Sequence, residues 1–189
     1  MALNMKKNKK IILLTGGLGY IGSHTCIELV KKNYIPLIVD NYSNSYKSTL
    51  SRLNKIIGSN YFFEKGDICN KIFLRKIFNN YHIYGVIHFA ALKSIPESFI
   101  NPKKYYKTNV SGTKNLIKFC GDYKCNIFVF SSTAAMYSEK SKPPFDEKSP
   151  IHIKNPYSKT KYLAEREIIN YSKKNSNFKY IILRYFNPV

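Results

Sequence analysis

The chain has 189 residues, 44% of them hydrophobic, enough for one domain with a sizeable core. No apolar run nears the roughly 20 residues of a transmembrane helix, and the apolar stretch behind the basic amino terminus is too short for a signal peptide. Lys and Arg outnumber Asp and Glu by 31 to 11, a formal charge of +20. The lysines are nevertheless scattered, as at Lys31-Lys32, Lys103-Lys104 and Lys173-Lys174, with no aromatic-interleaved strip, which argues against a nucleic-acid module. Residues 1–9 read as a basic flexible extension and 10–189 as one domain. Short apolar runs predict strands over 11–14, 37–39, 61–63, 86–89, 127–130 and 181–183, the pattern of strands buried on both faces. Amphipathic stretches predict helices over 23–32, 48–57, 71–80, 102–123 and 156–173. This alternation predicts an α/β fold, a doubly wound parallel sheet. The longest loop, 138–155, carries Pro143-Pro144 and Pro150.

Cys26, Cys69, Cys120 and Cys125 show no metal-ligand spacing. They read as free thiols in a reducing compartment, with cytoplasm the expected location and no metal site.

The most informative segment is Thr15-Gly16-Gly17-Leu18-Gly19-Tyr20-Ile21-Gly22, placed where the first strand turns into the first helix. Glycines there let the backbone turn tightly and approach a pyrophosphate, and a helix start points unpaired N–H groups at the phosphates. Two spacings fit: Gly17-x-Gly19-x-x-Gly22, and Gly16-x-x-Gly19-x-x-Gly22. Asp40 closes the second strand, 18 residues beyond Gly22, where a carboxylate holds adenosine ribose hydroxyls and disfavours the extra phosphate of NADP. NAD is the cofactor this arrangement predicts. Ligands gather at the carboxyl ends of such strands, and polar residues cluster there: Asp67 after the third, His88 to Lys93 at the fourth, Ser131-Ser132-Thr133 at the fifth.

Tyr157 and Lys161 lie four residues apart on one helix face. A free phenol is roughly 0.1% ionised at neutral pH. To serve as a base its pKa must fall by about three units, roughly 4 kcal/mol, through Lys161 and the positive ring of an oxidised cofactor. The spacing is common in a chain with 16 Tyr. Its position after the fifth strand, downstream of the Thr133 hydroxyl, makes it a Tyr/Lys/hydroxyl set of catalytic candidates: Tyr157, Lys161 and Thr133.

With these residues the chain resembles the extended short-chain dehydrogenase/reductase superfamily, and within it the UDP-glucose 4-epimerase (UDP-galactose 4-epimerase) family. The resemblance runs from about Lys10 to Val189. Its more specific parts are Asp40-Asn41-x-x-Asn44-Ser45, His88-Phe89-Ala90-x-Leu92-Lys93 and Arg184-Tyr185-Phe186-Asn187-Pro188. It implies a Rossmann-like NAD-binding domain and interconversion of UDP-glucose and UDP-galactose through a 4-keto sugar. It places Gly16, Gly19, Tyr20, Ile21 and Gly22 along the pyrophosphate, and Asp40, Asn41, Asn44 and Ser45 at the adenosine ribose. Asp67 and Ile68 fall at the adenine, and Phe89, Ala90, Lys93, Asn109, Lys161 and Tyr185 along the rest of the cofactor. Lys93, Thr133, Tyr157, Phe186 and Asn187 would meet a UDP-hexose.

Two departures stand out. Ser138 replaces a glycine and is expected to strain a turn needing positive φ. The family continues beyond Arg-Tyr-Phe-Asn-Pro-Val into a smaller carboxy-terminal substrate domain, so a truncated, poorly active chain is expected here, and a homodimer at full length. Another sugar-nucleotide epimerase of the superfamily and a non-catalytic NAD-binding module remain alternatives. A dehydratase would carry an Asp-Glu pair where Ala134-Ala135 stand.

Overall fold

The structure, a computed structural model, describes residues 10–138, 140 and 142–187. The expected extension 1–9 and the terminal Pro188-Val189 lie outside the described residues. In chain order the elements are β1 (Ile11–Thr15), α1 (Tyr20–Lys31), β2 (Ile35–Asp40), α2 (Ser48–Ile57), β3 (Phe62–Lys65), α3 (Lys71–Asn80) and β4 (Ile83–His88). Then come α4 (Ile95–Ile100), α5 (Pro102–Tyr105), a π-helical turn (Tyr106–Ser111), α6 (Gly112–Asp122), β5 (Ile127–Thr133), a 3-10 turn (Ala134–Met136), α7 (Pro156–Lys174) and β6 (Lys179–Tyr185).

All six strands run parallel in the order β3-β2-β1-β4-β5-β6. The chain works outward from β1 to β3, then crosses to the other side of β1. The switch point between β1 and β4 is where an open α/β sheet binds its ligand. Alternation along the strands sorts the core into two layers. Leu13, Leu37, Val86, Phe128 and Phe130 belong to a layer with Leu74, Ile77, Leu116, Ala164 and Ile168 of α3, α6 and α7. Leu14 and Ile38 belong to the other, with Cys26, Leu53 and Ile57 of α1 and α2. β6 ends the sheet, paired only with β5, and leaves Tyr180, Ile181 and Leu183 exposed.

Three differences from the sequence reading have local causes. Helix α1 starts at Tyr20 rather than 23, because Gly19 is already its N-cap. Helix α4 was not expected: Ser94 caps it by accepting from Glu97 N–H (3.3 Å), with a proline in its first turn. The predicted helix over 102–123 is interrupted by the π-helical turn, a feature that often marks a functional site. Ser138 shows no strain of the expected kind. The non-glycine residues with positive φ among those described are Asn33, Tyr42 and Lys124. Ser138 N–H instead donates to Pro150 O (2.9 Å), beside the Tyr137–Ile151 bridge. All four cysteines are free. Among the described residues no helix is long and apolar enough to cross a membrane, and no group of three His, Cys, Asp or Glu could hold a metal.

Candidate active site at the strand ends

A cavity of about 480 Å³ lies across the carboxyl ends of all six strands, within the size range of cofactor pockets. At the end of β1 the glycine turn forms one wall. Gly16 has φ +69°, and a Cβ on it would fall 2.6 Å from Ala90 N. A Cβ on Gly22 would fall 2.5 Å from Gly16 O and 2.7 Å from Gly17 Cα, so only glycine lets α1 sit this close to the turn. Gly19 has room for a Cβ except for Gly16 O at 3.3 Å. Gly16, Gly19 and Gly22 line the cavity. Gly17 does not, its Cβ position facing Leu14 and Ile38. The structure thus selects the G-x-x-G-x-x-G spacing. No side chain caps α1, so its first N–H groups point to the cavity as a phosphate cradle. Tyr20 and Ile21 continue this wall.

Asp40 is buried at the end of β2 with its carboxylate well held. Oδ2 accepts from Leu18 N–H (3.1 Å), and Oδ1 accepts from Tyr42 N–H (2.9 Å) and Ser45 Oγ (2.7 Å). The glycine turn and the β2 end are therefore fixed to each other through one carboxylate. Asn41 reaches Asp67 (3.3 Å), whose other oxygen accepts from Cys69 N–H (2.8 Å). Asn41, Asn44, Ser45, Asp67 and Ile68 all line the cavity.

At the end of β4, Phe89, Ala90 and Lys93 line it as well. His88 does not. It is buried beneath the turn, bonded to Thr15 Oγ1 (2.7 Å) and Thr113 Oγ1 (2.9 Å). Thr113 directs its own proton to Asn109 O (2.7 Å), so His88 Nε2 donates to it and Nδ1 accepts from Thr15. Burial first, then the Lys161 charge, pushes His88 down to about 3. Asn109 also stands behind the wall rather than in it. Its amide receives Leu92 N–H (2.8 Å) and donates to Leu92 O (3.0 Å) and Thr160 Oγ1 (3.0 Å). The π-helical turn aims Asn109 at the backbone, where it clamps the β4 loop to α7 from behind the cavity wall.

The opposite wall holds the candidate chemistry. Asn155 accepts from Ser158 N–H (2.8 Å) and starts α7 with Pro156, which sets Tyr157 and Lys161 on the cavity side. Thr133, at the end of β5, is buried and lines the same space. Tyr185, Phe186 and Asn187 enter from β6. The protein's own groups give Tyr157 the opposite pKa shift to that expected. Burial pushes the phenol up, and a hydrogen bond with Thr133 offsets part of it. Lys161 is itself buried, with Nζ 4.6 Å from the Phe130 ring centroid, and is pushed down to about 7, a shift that Glu165 opposes. A lysine close to half-neutral at pH 7 is a weaker source of positive field than a permanent cation.

Sequence reasoning missed Glu165 and Arg184. Arg184 donates through Nε to Glu165 Oε1 (3.0 Å) and through Nη2 to Oε2 (2.8 Å). Ser132 Oγ also bonds Glu165 Oε1 (2.5 Å), and Arg184 Nη1 reaches the Tyr137 hydroxyl (3.4 Å). The i, i+4 spacing of Lys161 and Glu165 was the available signal.

A parallel sheet with a diphosphate cradle at its switch point, facing a Tyr/Lys/hydroxyl wall, defines a dinucleotide-binding domain of the short-chain dehydrogenase/reductase type. Comparison with known proteins agrees. The sequence family described as GDP-mannose 4,6 dehydratase matches residues 13–189, and the chain belongs to it. It is 42% identical over 181 residues to a UDP-glucose 4-epimerase of Schizosaccharomyces pombe, covering 94% of this chain and 51% of that protein. Among solved structures it is similar to the UDP-glucose 4-epimerase of Bifidobacterium longum in complex with NAD+ and UDP. That match has a TM-score of 0.92 and 35% identity, over 95% of this chain and 54% of the other. The UDP-Glc/GlcNAc 4-epimerase of Campylobacter jejuni gives a TM-score of 0.88 at 37% identity, over 94% and 53%. The chain therefore spans about half the length of the relatives it matches.

Proposed function

We propose that this chain supplies the NAD-binding and proton-transferring half of a UDP-hexose 4-epimerase, acting in the cytoplasm on UDP-glucose and UDP-galactose. The observation that carries this reading is the meeting, in one cavity, of the glycine cradle and Asp40 with Tyr157, Thr133 and Lys161. The residues fit NAD. Gly16 and Gly22 let the turn pack tightly against the β4 loop and α1, which leaves the α1 N-terminus open to the cavity, and Asp40 stands at the strand end where a ribose would lie.

Bound in this cavity, NAD would supply a reversible hydride acceptor for the sugar C4. The other steps belong to this chain. The α1 N-terminus and Gly19 hold the diphosphate, and Asp40 with Ser45 orients the ribose. Tyr157 takes the proton of the sugar 4-hydroxyl and gives it back after the keto sugar has turned over. Thr133 hydrogen-bonds the same oxygen and stabilises the charge that builds on it. Lys161 lends positive field to the phenolate. Lys93, Phe186 and Asn187 stand at the rim, where the sugar nucleotide would enter. Ala134 and Ala135 form the 3-10 turn after Thr133. They offer no acid to expel a hydroxyl, which supports epimerisation over dehydration. Exposed Phe99, Ile100 and Tyr106 support a homodimer through the helices after β4.

The test is proton NMR of the anomeric signals after UDP-glucose is incubated with the NAD-loaded protein. UDP-galactose should appear, slowly for a chain that spans about half the length of its relatives. Tyr157→Phe should lower the rate by about 10²–10⁴-fold while NAD affinity persists. A 4-keto-6-deoxy product, or a Tyr157→Phe variant of undiminished rate, would overturn the reading.

A further inference from the structure

We propose that Glu165 is a positioning residue for Lys161: one carboxylate, shared between the Arg184 guanidinium and the field at Lys161, sets the charge of the ammonium and ties the Thr133 strand end to α7. The proposal rests on the reaction assigned above only for its consequence, since the arrangement itself is on the structure.

Glu165 is 2% exposed, an expensive place for a carboxylate unless it is fully partnered. Its partners come from two strands. Arg184 of β6 forks onto both oxygens at 3.0 and 2.8 Å, and Ser132 of β5 bonds Oε1. Ser132 is the neighbour of Thr133, and Arg184 is the neighbour of Tyr185, so one side chain braces the two strands that carry the cavity wall. Lys161 lies one helical turn before Glu165 on α7. Side chains on a helix lean toward its N-terminus, so the Glu165 carboxylate leans toward the turn that holds Lys161.

The groups around Lys161 make Glu165 its only nearby negative charge among the described residues. From α7 itself it faces Tyr157 and Glu165. From β5 it meets the Phe130 ring, and from β4 the His88 ring, which burial and the Lys161 charge hold neutral. From β6 the nearest charge is Arg184, which competes for the same carboxylate. On the helices packed against α7, Glu97 is bound to Lys104 (2.8 Å) and Tyr105 (3.1 Å). Burial pushes Lys161 down and Glu165 pulls it back up. The carboxylate is thus divided between two cations. The more of it Lys161 receives, the more fully the ammonium is charged beside the Tyr157 phenol.

The experiment is a pH titration of the Lys161 side-chain nitrogen by NMR in protein labelled with ¹⁵N-lysine, the signal being assigned by its loss in Lys161→Met. Wild-type Lys161 should titrate near neutrality. Glu165→Gln keeps the shape and removes the charge, and should move the titration down by about one pH unit or more. Arg184→Gln frees the carboxylate for Lys161 and should move it up. Opposite signs separate this role from bracing alone, which would lower thermal stability in both variants and leave the titration in place. A Glu165→Gln titration matching wild type overturns the proposal. If that variant does not fold, a null or downward shift in Arg184→Gln overturns it. No substrate enters these titrations, so the predicted shifts without any epimerisation would sink the assigned reaction and leave the Glu165–Lys161 coupling standing.

Discussion

Gly16, Gly19 and Gly22 should fail in different ways when given a side chain, and the difference tests the cradle directly. In Gly22→Ala the new methyl would lie 2.5 Å from Gly16 O and 2.7 Å from Gly17 Cα. Both are backbone atoms, so no rotamer change relieves the contact and α1 must shift from the turn. Overpacking of this kind costs about 3 kcal/mol at the upper end of its usual range, and the better helix propensity of alanine offsets about 1 kcal/mol. The net loss of about 2 kcal/mol corresponds to a fall of about 4–8 °C in Tm for a chain of this size. In Gly19→Ala the backbone, at φ −70° and ψ 174°, suits any residue, and the methyl meets only Gly16 O at 3.3 Å. Stability should stay within about 1 kcal/mol of wild type, the weaker N-cap being balanced by a stiffer unfolded chain. The same methyl stands over the helix start where a diphosphate must approach. NAD affinity should therefore fall by about tenfold or more, about 1.4 kcal/mol. Calorimetric melting paired with isothermal titration of NAD reads both quantities. The reasoning is refuted if Gly19→Ala melts as low as Gly22→Ala, or binds NAD as wild type does.

Asp40→Ala should destabilise by about 1–3 kcal/mol, because Leu18 N–H and Tyr42 N–H lose their acceptor; an unchanged urea midpoint would contradict this. Stability should rise with pH in two windows. His88, held at about 3 against an ordinary 6.5, and Lys161, held at about 7 against 10.5, both bind fewer protons folded than unfolded. Denaturant midpoints should climb from pH 4 to 6 and again from about 7 to 9, and Lys161→Met should remove the second climb while the first, which rests mainly on His88 burial, persists in reduced form.

The parallel, doubly wound character of the sheet was legible because each strand is a short apolar run and each crossover an amphipathic helix. The β1 turn and Asp40 were legible because backbone geometry dictates their residue types: only glycine fits at Gly16 and Gly22. Helix α4 was missed although Ser94 and Glu97 stand at capping-box spacing, since six residues carry too little periodicity to register. The π-helical turn left no periodic signal, and with it went the true placement of Asn109, whose amide is consumed by Leu92 and Thr160. His88 was misplaced because alternation gives a strand's last residue to either face. What it touches, Thr15 and Thr113, depends on chain segments distant in sequence. Spacing shows that a lysine stands near Tyr157, and only the fold shows that both groups are buried, which pushes the phenol up and the ammonium down in the protein alone.

The outer margin of β6 has consequences for handling this polypeptide. Among the described residues no strand pairs with its outer edge, and Ile181 and Leu183 of this strand are exposed to water. A bare, apolar rim of this sort is a template for another chain to zip onto. Mutual repulsion, at a formal +20 per chain, opposes that association. Raising the ionic strength shortens the reach of that repulsion, so dilute buffers preserve the separated species and concentrated salt promotes clumping along this strand.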